Sequence, residues 1–518
     1  MSIVSLEFFI FIGIVYVAYL FFTPRHRWMI LFLASAYFML CAVQQSVLLC
    51  CIFAAETLLT WYVALKIKRI KQERTKTLLI VAVITILVTV LVFYKDITFF
   101  VNNINVAARL LNSTIFLKMP EYAAPLGISY YTLILIGYLL DVHWGNIKEP
   151  QRNPFKFLLF AGYFPQMTSG PFTRYNDIAD VIFGNIHCSL KQLQFGIQRM
   201  LWGLFKKLVL AERFSVMVST IYDSEPQPLQ ENPYTGLVVV MGAFLYVAFL
   251  YMDFSGCMDI VIGVSEIFGI PLAENFCRPF TSGSLSEIWR KWHMTLGFWI
   301  KDYVLYPTLK SKLVSHIRDF CKKHFGKKAS RTVPTYFGMF VTWFCVGFWH
   351  GGTWKYICCS GLFFFIMIVG GLMLDPLFQK IITVLKINTG TWSWSFFRRV
   401  RSFCLFSASV SIGRCNSLMD GLRAWKTVFT HWNPWVLFDD TIFRLGLDRK
   451  DFDVCVIGIL VITVVSLLEE KHGSVRELIA TQNTAFRWCL YLALFFSVLI
   501  LGYYGPGYNP ADFIYGGF

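Results

Sequence analysis

Apolar runs of about 20 residues, the length a helix needs to cross a hydrocarbon core, recur from one end of this chain to the other. That recurrence constrains the fold more than any other feature, because backbone groups inside lipid must be satisfied within the spanning segment itself. The sequence therefore predicts an all-α polytopic membrane protein of about ten to twelve spans plus short buried helices. Length alone would suggest several soluble domains, but the chain is 56% hydrophobic and only 15% charged, with mean hydropathy +0.56. Aromatic residues make up 18%, which suits helices facing lipid and its interface.

Four early spans stand out at about 3–22, 28–43, 46–65 and 77–94. Two loops flank the second and third, Pro24-Arg25-His26-Arg27 and the cluster Lys66, Lys68, Arg69, Lys71, Arg74, Lys76. They must share a side, and both are basic, which puts them in the cytoplasm of a plasma-membrane protein and the N-terminus outside. MSIVSLEFF has no basic n-region and no small-residue cleavage site follows, so residues 3–22 read as the first span and not a removable signal. The formal charge of +16 falls in short clusters between apolar runs, as that orientation bias requires; nucleic acid is not an expected partner, whereas membrane lipids are. The 14 cysteines show no C-x-x-C or Cys/His zinc spacing, and pairs such as Cys50-Cys51 and Cys358-Cys359 lie inside apolar runs, so no metal site is expected.

The middle of the chain is broken. Residues 95–124 read as a polar-interrupted connection, and 125–154 hold an apolar stretch short for a span. The next segment, 155–175, breaks at Pro165 and at Gly170-Pro171; irregular backbone at membrane depth is tolerated only inside protein or along a cavity. Residues 196–214, with Arg199, Lys206, Lys207 and Arg213, suit an amphipathic interfacial helix. The run to Ile270 carries Asp253 and Asp259 around Ser255-Gly256, read as helix, break, helix, and either a polar kink or a site. From Arg290 to Arg331 eleven Lys/Arg face two acidic residues, Asp302 and Asp319, a balance that belongs on the cytoplasmic side and could attract a phosphorylated donor. Helical spacing puts Trp289, Trp292, His293 and Trp299 largely on one face, with Arg290 on another, so the cluster is an interfacial anchor or a site. Finally FVTWFCVGFWHGGTW, 340–354, ends an apolar run on His350, with Gly351 placed to close the helix and Gly347 and Gly351 spaced for close approach of another helix. An ionisable group at that depth is a site residue or an interfacial cap. Further apolar stretches fall at about 355–374, 452–468 and 486–504.

No Walker-type loop, G-x-G-x-x-G turn, G-x-S-x-G elbow or H-E-x-x-H helix occurs. What remains suits proton abstraction from a hydroxyl during acyl transfer by a histidine. Five stretches in order strengthen that reading: PLGISYYTL at 125–133, YFPQMTSGPFTRY at 163–175, MDFSGCMDIVIG at 252–263, ENFCRPFTSGSLSEIWRKWHMTLGFWIKDYVLYP at 274–307 and VGFWHGGTWKYICCSG at 346–361, with FIYGGF closing the chain. On these the sequence resembles the membrane-bound O-acyltransferase family, in its bacterial alginate O-acetyltransferase branch. After Tyr306-Pro307 it departs, with Thr308-Leu309-Lys310 where the family has a Gly-rich turn.

The resemblance implies a single membrane domain over 1–518, with N-terminal spans 1–94, a catalytic core 125–375 and C-terminal spans 376–518, its helices ringed around a funnel with short re-entrant segments. It implies His350 as catalytic histidine and His293 as second active-site position. Asn275, Arg278, Trp289, Arg290, Trp292, Asp302, Ser255 and Asp253 become candidates for binding donor or substrate. It further implies acetyl-CoA as donor substrate with no bound cofactor, a cell-surface or exported polysaccharide as acceptor, and an SGNH-like extracytoplasmic acetyltransferase as partner. His293 or the indole N–H groups of Trp289 and Trp292 are candidates to hold the oxyanion. Two other readings stand beside it: D-alanyl transfer from a carrier-protein thioester to teichoic acid, and a non-enzymatic channel or exporter.

Overall fold

The computed structural model describes residues 1–42, 46–113, 115–120, 124–223 and 234–504. Among these the chain is helical, joined by turns, with one antiparallel bridge between Phe276 and Trp292. Among the described residues six helices are long and apolar enough to cross a membrane: Val47–Arg69, Glu73–Leu110, Leu237–Ile267, Trp354–Val384, Arg449–His472 and Thr484–Leu501; Leu6–Phe21 is a shorter apolar helix. The protein is thus an all-helical membrane protein. The ending FIYGGF lies outside the described residues.

Among the described residues two compact units emerge, one of residues 1–204, 256–274 and Tyr504, the other of 205–255 and 275–503. In the first, Leu6–Phe21 packs through Tyr19, whose hydroxyl donates to the Phe268 carbonyl at 2.6 Å. Ile128–Trp144 is bounded by left-handed glycines, Gly127 and Gly145, and nearly all its side chains are buried, which is why so short an apolar helix holds. A Cβ at Gly127 would sit 2.1 Å from the Met167 carbonyl oxygen, so this turn has no room for a side chain. The broken segment predicted after it is real: Pro154–Ala161 and Phe164–Met167 are separate short helices. The break falls at Gly162-Tyr163, and Pro165 sits in the first turn of the second helix, where its missing N–H has no consequence.

Three expectations are overturned. The stretch after residue 94 is no loose connection: a π turn at Val92–Asp96 leads into helix Ile97–Leu110. Leu237–Ile267 runs unbroken through Ser255-Gly256, because Asp253 and Asp259 are neutralised by cations instead of by opening the helix. Those cations come from the segment expected at the lipid interface. Leu190–Leu204, a wide π turn at Phe205–Ala211 and Glu212–Tyr222 turn Lys206, Lys207 and Arg213 inward, all buried. Within the first unit Arg199 bridges Asp259 at 3.0 Å and Glu274 at 2.5 Å. Within the second, Lys207 holds Asp253 at 2.6 Å and Glu212 at 2.7 Å, while Arg213 meets Asp451 at 2.9 Å. Charge balance at membrane depth forces this inward turn, since an unpaired buried cation is costly.

Candidate active site

The two histidines and the eight candidates for binding donor or substrate lie in the second unit, while Asp259 lies in the first. Ser284 starts the helix Leu285–Lys291 by accepting from the Glu287 amide, and Glu287 reaches back to the Gly283 amide at 3.0 Å, a reciprocal capping box. This helix ends at Lys291, and a second, Met294–Ile300, begins after His293. The tryptophan–histidine cluster therefore does not occupy one continuous amphipathic helix. Trp292 is extended and pairs with Phe276, while the Cys277 amide donates to the Lys291 carbonyl and the Met294 amide to the Asn275 carbonyl, each at 2.9 Å. That short ladder breaks the helix and sets His293 at φ +48, a left-handed conformation costing a non-glycine residue about 1–3 kcal/mol. Arg278, at the other end of the pairing, has φ +48 as well.

The strain at His293 is offset by its fixed surroundings. Its ring is buried at 1% exposure, lies 3.2 Å from Asn275 Oδ1 through Nδ1, and meets the Phe254 ring edge-on at 4.8 Å between centroids. Trp349 stands 6.0 Å from it and 5.1 Å from the ring of His350, so one indole links the two imidazoles. Outside the membrane-spanning helices, His293 is held well below the usual imidazole range, by burial first and by the charge of His350 second.

His350 is also buried, at the C-terminus of helix Lys312–Trp349. That helix is longer and more basic than the apolar run foretold, with a non-helical residue at Gly326. Its closing turn uses both glycines: Gly351 at φ +155 and Gly352 at φ +42, whose amides both donate to the Phe348 carbonyl. The close approach expected at Gly347 is made by the segment 356–361. A Cβ at Gly347 would lie 2.8 Å from the Tyr356 carbonyl oxygen and 3.1 Å from Gly361 Cα. Gly347→Val should then force this packing apart and cost about 3 kcal/mol, at the upper end for overfilled cores. Thermal unfolding in detergent would read it as a lower melting temperature, and an unchanged one would contradict the packing.

The other candidates divide. Trp292 is buried among Phe276, Phe280 and Phe406, and Trp289 packs on Trp343 at 5.2 Å and Phe364 at 5.0 Å. The indole Nε1 of Trp289 and Nη1 of Arg278 are buried without a hydrogen-bond partner among the described residues. Arg290 is exposed, and Asp302 is half-buried in the wide turn Lys301–Leu305. Asp253 and Ser255 serve the lysines: Lys207 binds the carboxylate, and Lys206 donates to Ser255 Oγ at 3.0 Å. Phe254, between them, is what touches His293, a contact unsuspected from sequence. Lys206 and Lys207 were missed as buried groups. The available signal was two lysines in one apolar run facing carboxylates in another.

The two buried imidazoles pack on either side of one indole, and among the described residues no group of three or more His, Cys, Asp or Glu could hold a metal ion. The sequence profile of the membrane-bound O-acyltransferase family matches residues 32–413. This chain belongs to that family, and it is a membrane-embedded O-acyltransferase. It is 28% identical over 430 residues to a probable alginate O-acetylase, AlgI, of Pseudomonas syringae pv. tomato, covering 83% of this chain and 74% of the relative. It is 26% identical to a peptidoglycan O-acetyltransferase of Helicobacter pylori, covering 57% and 56%. A teichoic acid D-alanyltransferase of Streptococcus thermophilus is 32% identical over 235 residues, 45% of this chain and 53% of that one.

Proposed function

We propose that this protein moves an acetyl group from cytoplasmic acetyl-CoA, within or across the plasma membrane, for O-acetylation of a cell-surface or exported polysaccharide. The observation that carries the proposal is the buried pair His293 and His350 linked through Trp349. His350 takes the proton of an acceptor hydroxyl as its oxygen attacks the thioester carbonyl. The carbon–oxygen bond forms, the carbon–sulfur bond breaks, and the imidazolium returns the proton to the departing thiolate. The orphan indole N–H of Trp289 is suited to hold the oxyanion, a role worth most where water is excluded. Exposed Arg290 and half-buried Arg278 suit the phosphates of the donor.

The reading includes a ring of about ten to twelve crossings around a funnel with re-entrant helices, one functional body with its core in 125–375, and an N-terminus outside the cell. Nothing in the chain resembles a soluble SGNH-like transferase, so a separate extracytoplasmic partner completes the transfer to polymer. D-alanyl transfer from a carrier thioester is the second reading, favoured by the similarity to the streptococcal D-alanyltransferase. Native membranes, which hold the protein together with that partner, given labelled acetyl-CoA and an acceptor polysaccharide, should release free CoA with acceptor-dependent label transfer. Activity only with a D-alanyl carrier thioester would replace this reading with the second, and no turnover of either donor would overturn both.

A further inference from the structure

Asn275 Oδ1 lies 3.1 Å from the Thr295 amide, 2.9 Å from Thr295 Oγ1 and 3.2 Å from His293 Nδ1. A carboxamide can usually be turned to present either its oxygen or its nitrogen, and a ring nitrogen can be donor or acceptor. Here the backbone removes the ambiguity. A peptide N–H can only donate, so the Asn275 atom facing Thr295 must be the carbonyl oxygen. An amide oxygen can only accept, so His293 Nδ1 must carry the proton. The Asn275 carbonyl, held by the Met294 amide at 2.9 Å, fixes the backbone from which this oxygen projects. The geometry points to Asn275 as a positioning residue that locks His293 in its Nδ1-protonated tautomer, so that Nε2 turns a lone pair, not a proton, toward the reacting groups.

This rests on the acyltransferase reading above and narrows the candidates that the sequence offered for the oxyanion. In the neutral ring Nε2 cannot donate to an oxyanion, which removes His293 from that role and leaves the Trp289 indole. What Nε2 can do is accept a hydrogen bond from a water or N–H beside the reacting hydroxyl, whose own single proton goes to His350. His350 is a titratable group whose charge acts on His293. Burial and that neighbour together favour the neutral ring at pH 7.

The first test does not depend on turnover. The protein, carrying nine histidines, is labelled with ¹⁵N-histidine in lipid, and the His293 signals are assigned by their loss in His293→Gln. A neutral ring protonated at Nδ1 is expected; protonation at Nε2 overturns the inference whatever the activity. The second test measures transfer by Asn275→Ala and Asn275→Asp. The alanine variant loses the lock, and its kcat should fall about 10–100-fold with the donor KM within about twofold, the scale on which supporting hydrogen bonds act. The aspartate variant keeps an oxygen acceptor, so it should retain more activity. Its carboxylate would raise the His293 pKa, moving the acid limb of the pH profile up by about one unit or more. A merely structural Asn275 would leave that limb in place, and an unmoved limb, or an alanine variant with unchanged kcat, overturns the positioning role. Absence of transfer by the wild-type protein would instead indict the acyltransferase reading, with the tautomer still decided by the first test.

Discussion

His350→Ala should abolish acyl transfer, lowering kcat by about 10²–10⁴-fold, the contribution of a positioned general base. The expectation follows from what the imidazole would do. An alcohol is a weak nucleophile at pH 7, and His350 is the buried group proposed to take its proton as the new bond forms. Its position at the end of Lys312–Trp349 is held by backbone, through the Val346 carbonyl and the turn at Gly351 and Gly352, so removing the ring leaves that scaffold in place. The variant should therefore insert and melt close to wild type while losing turnover, and His350→Gln should do the same. Retained transfer in a well-folded alanine variant would end the proposal that His350 is the base. If the variant instead failed to fold, the glutamine variant, which keeps volume and polarity without imidazole chemistry, decides the matter.

Lys207→Met should be the most damaging single change to stability away from that site. Lys207 is 2% exposed and is held between Asp253 at 2.6 Å and Glu212 at 2.7 Å. Removing the cation takes its charge away from two carboxylates, one of them, Asp253, at 2% exposure. Breaking such a buried pair from one side costs about 3–5 kcal/mol, most of it the penalty of the charge left behind. Replacing both ends of the buried pair, Lys207→Met with Asp253→Leu, should recover much of the loss, because the penalty belongs to unpaired charge and not to the absence of the bond. Thermal unfolding in detergent of the single and double variants tests this. A single variant melting within about two degrees of wild type would show that the cluster carries little of the fold's stability.

These two expectations rest on different kinds of information. His350 was legible from the chain alone as a candidate: a histidine at the end of a Phe- and Trp-rich apolar run, followed by two glycines, in a box matching a known family. Lys207 was not. Helical periodicity placed Lys206 and Lys207 on the polar side of an interfacial helix, because periodicity registers which face is charged and not where that face points. The partner carboxylate lies 46 residues away in the chain, and only packing shows that the charged side turns inward.

The same division runs through the rest of the molecule. Apolar length and basic loops determined by themselves that the chain is a helical membrane protein, and they located most of the helices, since burying backbone in lipid leaves the chain no other local choice. Five ordered motifs determined the family. Tertiary structure decided where helices continue or stop. Ser255-Gly256 stays helical because Lys207 and Arg199 neutralise the flanking aspartates, each in its own unit. Trp292-His293 leaves the helix because residues 275–277 pair with 291–294. It also decided the chemistry of His293, whose tautomer depends on one amide oxygen 18 residues earlier. Local sequence sets what a segment can be. Which of its options is taken depends on long-range hydrogen bonds and charge pairs, and these form only once the helices have packed.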